Sequence, residues 1–232
     1  MQSNQSKLIL DIETIGVDFE TLDKFSQEHI KKYSENEEGI EEAKERLGLS
    51  PLTGQIVAIG TLDANTNTGI VYVVSNEKSL PAELEPSIKL IGGSETEILN
   101  NFWTLAQNYN TFITFNGRAF DAPFLMIRSA ILGIKPTKNL LANRYLSLQP
   151  YVAKHIDLFD QFGFYGASRT RSSLHFWAKA FGIPSPKDSG ITGDDVGKLF
   201  KNGKILDIAK YNLGDIRATG ALYDKWEKYL SF

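Results

Sequence analysis

The stretch that decides the fold is Lys7-Leu-Ile-Leu-Asp-Ile-Glu-Thr14. Residues 7–12 are rich in Leu and Ile and too few for most helices, so they predict a buried strand. Side chains alternate on a strand, which places Asp11 and Glu13 on one face, about 7 Å apart. Two carboxylates in a dry cleft would repel, and oxygen-only ligands suit Mg²⁺ or Mn²⁺. Taken alone, the pair also fits a strand that simply ends in solvent.

A second group of polar residues follows a later predicted strand, in the segment Phe115-Asn-Gly-Arg-Ala-Phe-Asp-Ala-Pro-Phe124. Asn-Gly closes the strand as a turn, and Asp121 stands where the next helix begins. An N-cap is the simpler interpretation of Asp121. A cap does not explain why Asn116, Phe120 and Asp121 cluster at a strand's carboxyl end, where open α/β sheets bind ligands.

A third group lies in the segment Lys210-Tyr-Asn-Leu-Gly-Asp-Ile-Arg217, within a helix predicted over 205–229. Tyr211 and Asp215 are four residues apart and therefore share one face of this helix. An ordinary surface helix would explain this pair equally well.

The rest of the chain predicts an α/β fold, a mixed five-stranded sheet flanked by helices, in one domain over 1–232. Right-handed crossovers place the fourth and fifth strands beside the first. A charged helical insertion is expected at about 18–50, interrupted at 35–39. The predicted strands are 7–12, 55–62, 70–74, 111–115 and 155–159. Another helix is predicted from about residues 94–97 to Tyr109, and further helices are predicted over about 122–132, 172–181 and 194–201.

The composition excludes several classes of protein. The 232 residues contain no cysteine, which rules out disulfides, thiolate nucleophiles and cysteine-based zinc sites. We expect a cytoplasmic protein with no signal peptide and no membrane span, because no uninterrupted apolar run of about 18 residues occurs. Residues 1–117 hold 8 Lys and Arg against 18 Asp and Glu, and residues 118–232 hold 17 against 10. The acidic total disfavours a cationic surface for duplex DNA, whereas the basic second half leaves room for a local phosphate-binding surface.

In this order, the three motifs resemble those of the DEDD-type 3′–5′ exonucleases of the ribonuclease H-like superfamily, tyrosine subtype. The chain looks most like the stand-alone proteins related to the proofreading domain of family B DNA polymerases. Lys210 stands where the histidine subtype would need His, and the acidic stretch 18–50 departs from the family pattern. The matching segments are Asp11-Ile-Glu13, Asn116 with Phe120-Asp121, and Tyr211-x-x-x-Asp215, with softer matches at Ile56–Gly60, His155–Leu158 and Phe181–Lys187.

The resemblance implies a site with two Mg²⁺ or Mn²⁺ ions, the arrangement that in-line phosphodiester cleavage uses. Asp11 is expected to bridge both ions. Glu13 and Asp215 would complete the site of the ion that carries the attacking water, and Asp121 would hold the second ion. Tyr211 is expected to orient the water, since a phenol with a pKa near 10 is a poor base. The implied reaction releases 5′ mononucleotides from single-stranded 3′ ends. DNA is favoured over RNA, although the motifs do not report contacts to the 2′ position.

Further residues are candidates for substrate binding, each with a simpler alternative. Arg169 and Arg171, in a loop of small hydroxyl residues before a helix, could hold phosphates or form an ordinary surface loop. Thr14 and Phe120 could pack on the terminal nucleotide, with Phe120 as core filler the alternative. Asn116, which belongs to the second motif, is a further candidate for substrate binding. The resemblance also places His155 and Asp157 near the site, where we expect structural work rather than metal ligation.

Two other functions fit parts of the sequence. A haloacid-dehalogenase-like phosphatase would use Asp11 as its nucleophile. It would also need a pair of aspartates further along the chain, and the pair present, Asp194-Asp195, lies in a polar loop. A non-catalytic nucleic-acid-binding module would share the fold, and the four intact carboxylates argue against it.

Overall fold

One mixed sheet organises the protein in a computed structural model that describes residues 6–32, 37–77 and 80–231. The strand order across the sheet is β4-β5-β3-β2-β1-β6-β7. The strands are β1 (Lys7–Gly16), β2 (Gly54–Asp63), β3 (Gly69–Val74), β4 (Glu83–Glu85), β5 (Ile88–Gly93), β6 (Thr111–Thr114) and β7 (Lys154–Asp157).

All five predicted strands are present, but the predicted count of five is too low. The structure adds β4 and β5, which extend the sheet beyond β3. β4 has only three residues, two of them Glu, and β5 ends in Gly92-Gly93, so neither has a strong local strand signal. Both gain their hydrogen bonds from neighbouring strands, since β5 runs parallel to β3 and antiparallel to β4.

The fourth and fifth predicted strands, β6 and β7, lie on the expected side of β1. β6 pairs with β1 in parallel, and β7 pairs with β6 in parallel. β1 is antiparallel to β2 on its other side and continues to Gly16, four residues past the predicted end. The parallel β1, β6 and β7 therefore bring their carboxyl ends to one edge of the sheet.

Helices cover both faces of the sheet. Helices α3 and α4 pack with β1 side chains such as Leu10 in one core, and α8 packs with Ile9 in the other. The long α8 approaches β1 closely, because a Cβ added at Gly220 would lie 2.8 Å from Ile9 Cδ1. The helices are α1 (Lys24–Lys32), α2 (Glu37–Glu45), α3 (Glu95–Ala106), α4 (Asp121–Ile131), α5 (Leu158–Phe162), α6 (Leu174–Ala180), α7 (Val196–Lys201) and α8 (Ile205–Tyr229).

The insertion at 18–50 is helical, as predicted, and contains α1 and α2. Of the predicted interruption at 35–39, residues 35 and 36 lie outside the described residues, and 37–39 belong to α2. Phe19 and Leu47 are buried and anchor the insertion, whereas no side chain of α1 is buried. In the described ranges, no helix combines the length and apolar character that crossing a bilayer requires.

Candidate active site

Three carboxylates from the two ends of the sequence meet between β1 and α8. Asp11, Glu13 and Asp215 each offer an oxygen atom, and these atoms all lie within 4.8 Å of one another. Strand alternation directs Asp11 and Glu13 to the α8 side of the sheet, as the sequence predicts. Helix α8 brings Asp215 to the same place. Glu13 and Asp215 are buried, and Asp11 is half-buried.

The fourth predicted carboxylate, Asp121, is tied to the same strand. It is the first residue of α4, and its side chain does not cap that helix. Instead, Asp121 Oδ1 accepts a hydrogen bond of 3.0 Å from the backbone N–H of Ile12. Its charge is close enough to Asp11 to help raise the pKa of Asp11. The structure therefore places Asp121 beside the three clustered carboxylates.

Burial and mutual repulsion disfavour the ionised forms of these four groups. Burial is the larger cause and the neighbouring carboxylates the second in raising the pKa of Asp11 and of Glu13 well above their usual values. Burial likewise raises the pKa of Asp121 and of Asp215 to about 7. A cluster of like charges with oxygen ligands fits hard divalent cations, which would neutralise the repulsion.

Tyr211 lies one helical turn before Asp215 and faces the cluster. Its side chain is buried, and its hydroxyl lies close enough to the Asp215 carboxylate to lower the pKa of that group. Burial, followed by the charges of Asp215, Glu13 and Asp11, raises the pKa of Tyr211 above that of free tyrosine. The phenol therefore stays protonated and is able to donate a hydrogen bond.

Two further residues, Asn212 and Lys187, affect the carboxylates of the cluster. Asn212 is fully buried, and its Nδ2 donates a hydrogen bond of 2.9 Å to Asp11 Oδ2. The charge of Lys187 lowers the pKa of Asp215, against the effect of burial. Asn212 directly follows Tyr211, and Lys187 ends a family-like segment, but neither position carries a local signal of its contacts.

The turn that leads to Asp121 is held by residues from β7. Asn116 adopts a left-handed conformation with φ of 61°. Asp157 accepts hydrogen bonds from the backbone N–H groups of Asn116 (2.7 Å) and Arg118 (2.9 Å). His155 contacts the Thr114 hydroxyl through Nε2 at 2.8 Å, and burial lowers its pKa to about 4. These contacts give Asp157 and His155 the structural roles that we expected.

The structure places the predicted substrate-binding residues around the cluster in different environments. The Thr14 hydroxyl is already used, because it donates a hydrogen bond of 2.7 Å to the carbonyl of Gly48 in the insertion. Phe120 is half-buried and packs against Phe124. The side chain of Asn116 is exposed. Arg169 and Arg171 are exposed in the loop between α5 and α6, so neither belongs to the hydrogen-bonded cluster.

One of the two aspartates that a phosphatase mechanism would need, Asp195, is engaged in local hydrogen bonds. Asp195 accepts hydrogen bonds from the backbone N–H and the hydroxyl of Thr192, at 2.9 and 2.8 Å, and Asp194 is exposed. Asp195 is thus part of a local capping arrangement. This geometry gives no support to the phosphatase alternative.

The sheet, its helices and the carboxylates at the β1–α8 junction define a ribonuclease H-like α/β protein. Residues 53–230 match the model of a family described as "Predicted 3'-5' exonuclease related to the exonuclease domain of PolB". This match covers more than three quarters of the chain, and the chain belongs to this family. The match begins after Asp11 and Glu13, which the tertiary structure nevertheless joins to Asp215 inside the matched region.

Among solved structures, the chain is similar to the family B DNA polymerase from the hyperthermophilic archaeon Pyrobaculum calidifontis. The TM-score is 0.63 at 17% sequence identity, and the similarity covers 97% of this chain and 25% of the polymerase chain. The chain thus spans about a quarter of the polymerase that it matches. At this identity, the similarity shows a shared fold. No curated protein sequence matches the chain.

Proposed function

We propose that the protein is a divalent-metal-dependent 3′–5′ exonuclease that releases 5′ mononucleotides from single-stranded nucleic acid, with DNA favoured over RNA. The observation that carries this proposal is the convergence of Asp11, Glu13 and Asp215 within 4.8 Å. Membership of a family of predicted 3′–5′ exonucleases supports the same reaction.

The four carboxylates fit the two Mg²⁺ or Mn²⁺ ions of this reaction. Asp11, Glu13 and Asp215 would hold one ion, and Asp121, tied to the Ile12 backbone, would share the second with Asp11. Bound ions of this kind supply a Lewis acid for the scissile phosphate and lower the pKa of the attacking water. Without ions, the raised pKa values favour protonated carboxyl groups, so the ions would also set the charge state of the site.

Tyr211 and Lys187 would complete the chemistry. The Tyr211 hydroxyl stays protonated and lies against Asp215, where it would orient the attacking water for in-line displacement. Lys187 lies close enough to Asp215 to affect its charge, and its ammonium group would attract the substrate phosphate.

Substrate binding would use the residues around the cluster. Phe120 and the Asn116 turn flank Asp121 and would contact the terminal nucleotide, because unpaired bases are commonly held by stacking. The exposed Arg169 and Arg171 would bind phosphates further along the strand. Thr14 would contribute through its methyl group and backbone, since its hydroxyl is engaged with Gly48.

We propose that residues 1–232 act as a single exonuclease domain. A cytoplasmic location remains a prediction of the cysteine-free composition.

The test is a time course on single-stranded DNA and RNA labelled at the 5′ end, with Mg²⁺, Mn²⁺ or EDTA. We expect a ladder that shortens from the 3′ end, requires the metal and is faster on DNA. Asp11→Ala is the inactive control, since it removes a direct ligand. Full activity in EDTA, or cleavage of a closed circle as fast as a linear strand, would exclude this function. Binding without cleavage would favour the non-catalytic module.

A further inference from the structure

The Asn212 side chain is fully buried beside the carboxylate cluster, and only one end of its amide group has a hydrogen-bond partner among the described residues. None of its surface is exposed, and its Nδ2 donates to Asp11 Oδ2 at 2.9 Å. It also lies close enough to the Glu13 carboxylate to lower the pKa of that group, against the effect of burial. Carboxylates in the ionised form that binds an ion only accept hydrogen bonds, and the amide turns its NH₂ group towards them. Its Oδ1 is left buried without a hydrogen-bond partner among the described residues.

Gly60 provides the space that this amide occupies. Gly60 lies on β2 directly opposite Asp11 in the antiparallel pair. A Cβ atom at Gly60 would lie 2.1 Å from Asn212 Oδ1 and 3.0 Å from its Cγ, which is too close for any side chain. Glycine at this strand position thus lets the amide of α8 reach the carboxylates of β1.

The unpartnered oxygen argues against a role in packing alone. Leaving a buried acceptor unsatisfied costs free energy, which an apolar side chain of similar shape would avoid. The compensating feature is a donor group that hydrogen-bonds one metal-ligand candidate, Asp11, and lies near a second, Glu13. A lysine or arginine could also hold them, but its positive charge would compete with a divalent cation for the same carboxylates. A neutral amide can orient the carboxyl groups without adding a positive charge that would oppose the ion.

We propose that Asn212 is a positioning residue that holds Asp11 and Glu13 in ligand geometry before an ion binds, with Gly60 as the space it requires. This inference rests on the proposed function, because it assumes that these carboxylates bind metal. Groups that orient metal ligands commonly contribute 10- to 100-fold to metal affinity or activity.

The test measures Mn²⁺ binding by isothermal titration calorimetry without substrate. The variants are Asn212→Leu, which keeps the bulk and removes the donor, and Asn212→Ala, which removes both. Thr219→Val is the matched control, because Thr219 is a buried polar residue of the same helix outside the cluster. We expect about 10- to 100-fold weaker Mn²⁺ binding for both Asn212 variants and wild-type binding for the control. In the nuclease assay, kcat should fall while KM for DNA stays near the wild-type value.

A double substitution tests the role of Gly60. Gly60→Ala alone should weaken Mn²⁺ binding, because the new methyl group displaces the amide. In the Asn212→Ala background, the same change should add little, since the two closest atoms, Oδ1 and Cγ of Asn212, are gone and only Ile216 Cγ2 remains nearby, at 3.2 Å. Additive effects of the two substitutions would contradict the proposed coupling.

The outcomes separate this inference from the proposed function. Wild-type protein that binds no Mn²⁺ would overturn both. Normal Mn²⁺ binding by wild type and by folded Asn212→Leu would overturn only the positioning role. Failure of both Asn212 variants to fold, judged by circular dichroism, would show that Asn212 is needed for folding. That result would also overturn the proposed positioning role.

Discussion

The backbone N–H of Ile12 donates a hydrogen bond of 3.0 Å to Asp121 Oδ1, which joins the second motif to the strand that carries the first. Ile12 separates Asp11 from Glu13 and points its own side chain into the opposite core. The bond therefore uses the backbone of β1 to hold Asp121, while the alternate side chains of β1 face α8. This hydrogen bond thus helps to bring Asp121 to the place where Asp11, Glu13 and Asp215 meet.

Replacing Asp215 with Asn should stabilise the metal-free protein in a pH-dependent way. The pKa of Asp215 is raised to about 7 in the folded state, so the folded protein binds this proton more tightly than the unfolded chain. The stability linked to this proton is present below the unfolded pKa of about 3.9 and is lost as the pH rises through about 7. In EDTA, we therefore expect Asp215→Asn to raise the melting temperature clearly at pH 8 and much less at pH 5. An equal shift at both pH values would contradict this assignment.

Mn²⁺ affinity should increase between pH 6 and pH 8. Asp121 and Asp215, with pKa values raised to about 7, are largely protonated at pH 6 and must lose their protons when an ion binds. Calorimetry in two buffers of different ionisation enthalpy should detect proton release at pH 6 and less release at pH 8. Asp215→Asn should reduce the number of protons released. Affinity that stays constant over this pH range would rule out a ligand role for these two groups.

Tyr211→Phe should slow the chemical step and leave binding intact. The ring and its packing remain, and only the hydroxyl that lies against Asp215 is lost. We expect the single-turnover rate to fall by about 10- to 1000-fold, with little change in metal or substrate affinity. Tyr223→Phe is the matched control, because Tyr223 is a buried tyrosine of the same helix whose hydroxyl contacts Glu227.

The combined variant gives a second check on Tyr211. If Tyr211 and Asp215 act on one water, Tyr211→Phe together with Asp215→Asn should cost much less than the sum of the two losses. A near-normal single-turnover rate for Tyr211→Phe would show that the Tyr211 ring only packs in the core and that its hydroxyl does not act in the reaction.

Substituting Arg169 and Arg171 with Ala should weaken binding of single-stranded DNA and flatten its dependence on salt. Phosphate contacts release counterions, so each lost contact reduces the slope of log affinity against log salt. The saturated rate should change little. Replacing Lys135 and Lys228 is the charge-matched control. Lys135 follows the end of α4 and Lys228 lies in the last turn of α8, each at the end of the helix remote from Asp121 or Asp215. An unchanged slope of log affinity against log salt would show that Arg169 and Arg171 do not contact the DNA phosphates.

Asp157→Ala should destabilise the fold without removing a metal ligand. Asp157 is buried and accepts hydrogen bonds from the backbone N–H groups of Asn116 and Arg118. In the Ala variant, these N–H groups would lose this acceptor. Each unsatisfied buried donor costs about 1–3 kcal/mol. Asp157→Asn, which keeps one acceptor oxygen, should cost less. Urea unfolding measures both variants, and a wild-type midpoint for Asp157→Ala would exclude a bracing role for this side chain.

The sequence by itself determined the features that depend on local periodicity. Alternation along a strand put Asp11 and Glu13 on one face, and the spacing of four residues put Tyr211 and Asp215 on one face of a helix. The bounds predicted for that helix, 205–229, are those of α8. These features are encoded by neighbouring residues, because the backbone repeat of a strand or helix is set by its own torsion angles.

The tertiary structure decided which groups those faces would meet. Asn212 reaches Asp11 across 201 positions of sequence, and the space for its amide is left by Gly60 on a different strand. Asp121 could equally have been a helix cap until the backbone of β1 came within hydrogen-bond distance. The short β4 and β5 owe their hydrogen bonds to β3 rather than to a pattern of their own. Such contacts form between distant segments only when packing closes the chain, so no local pattern in the sequence reports them.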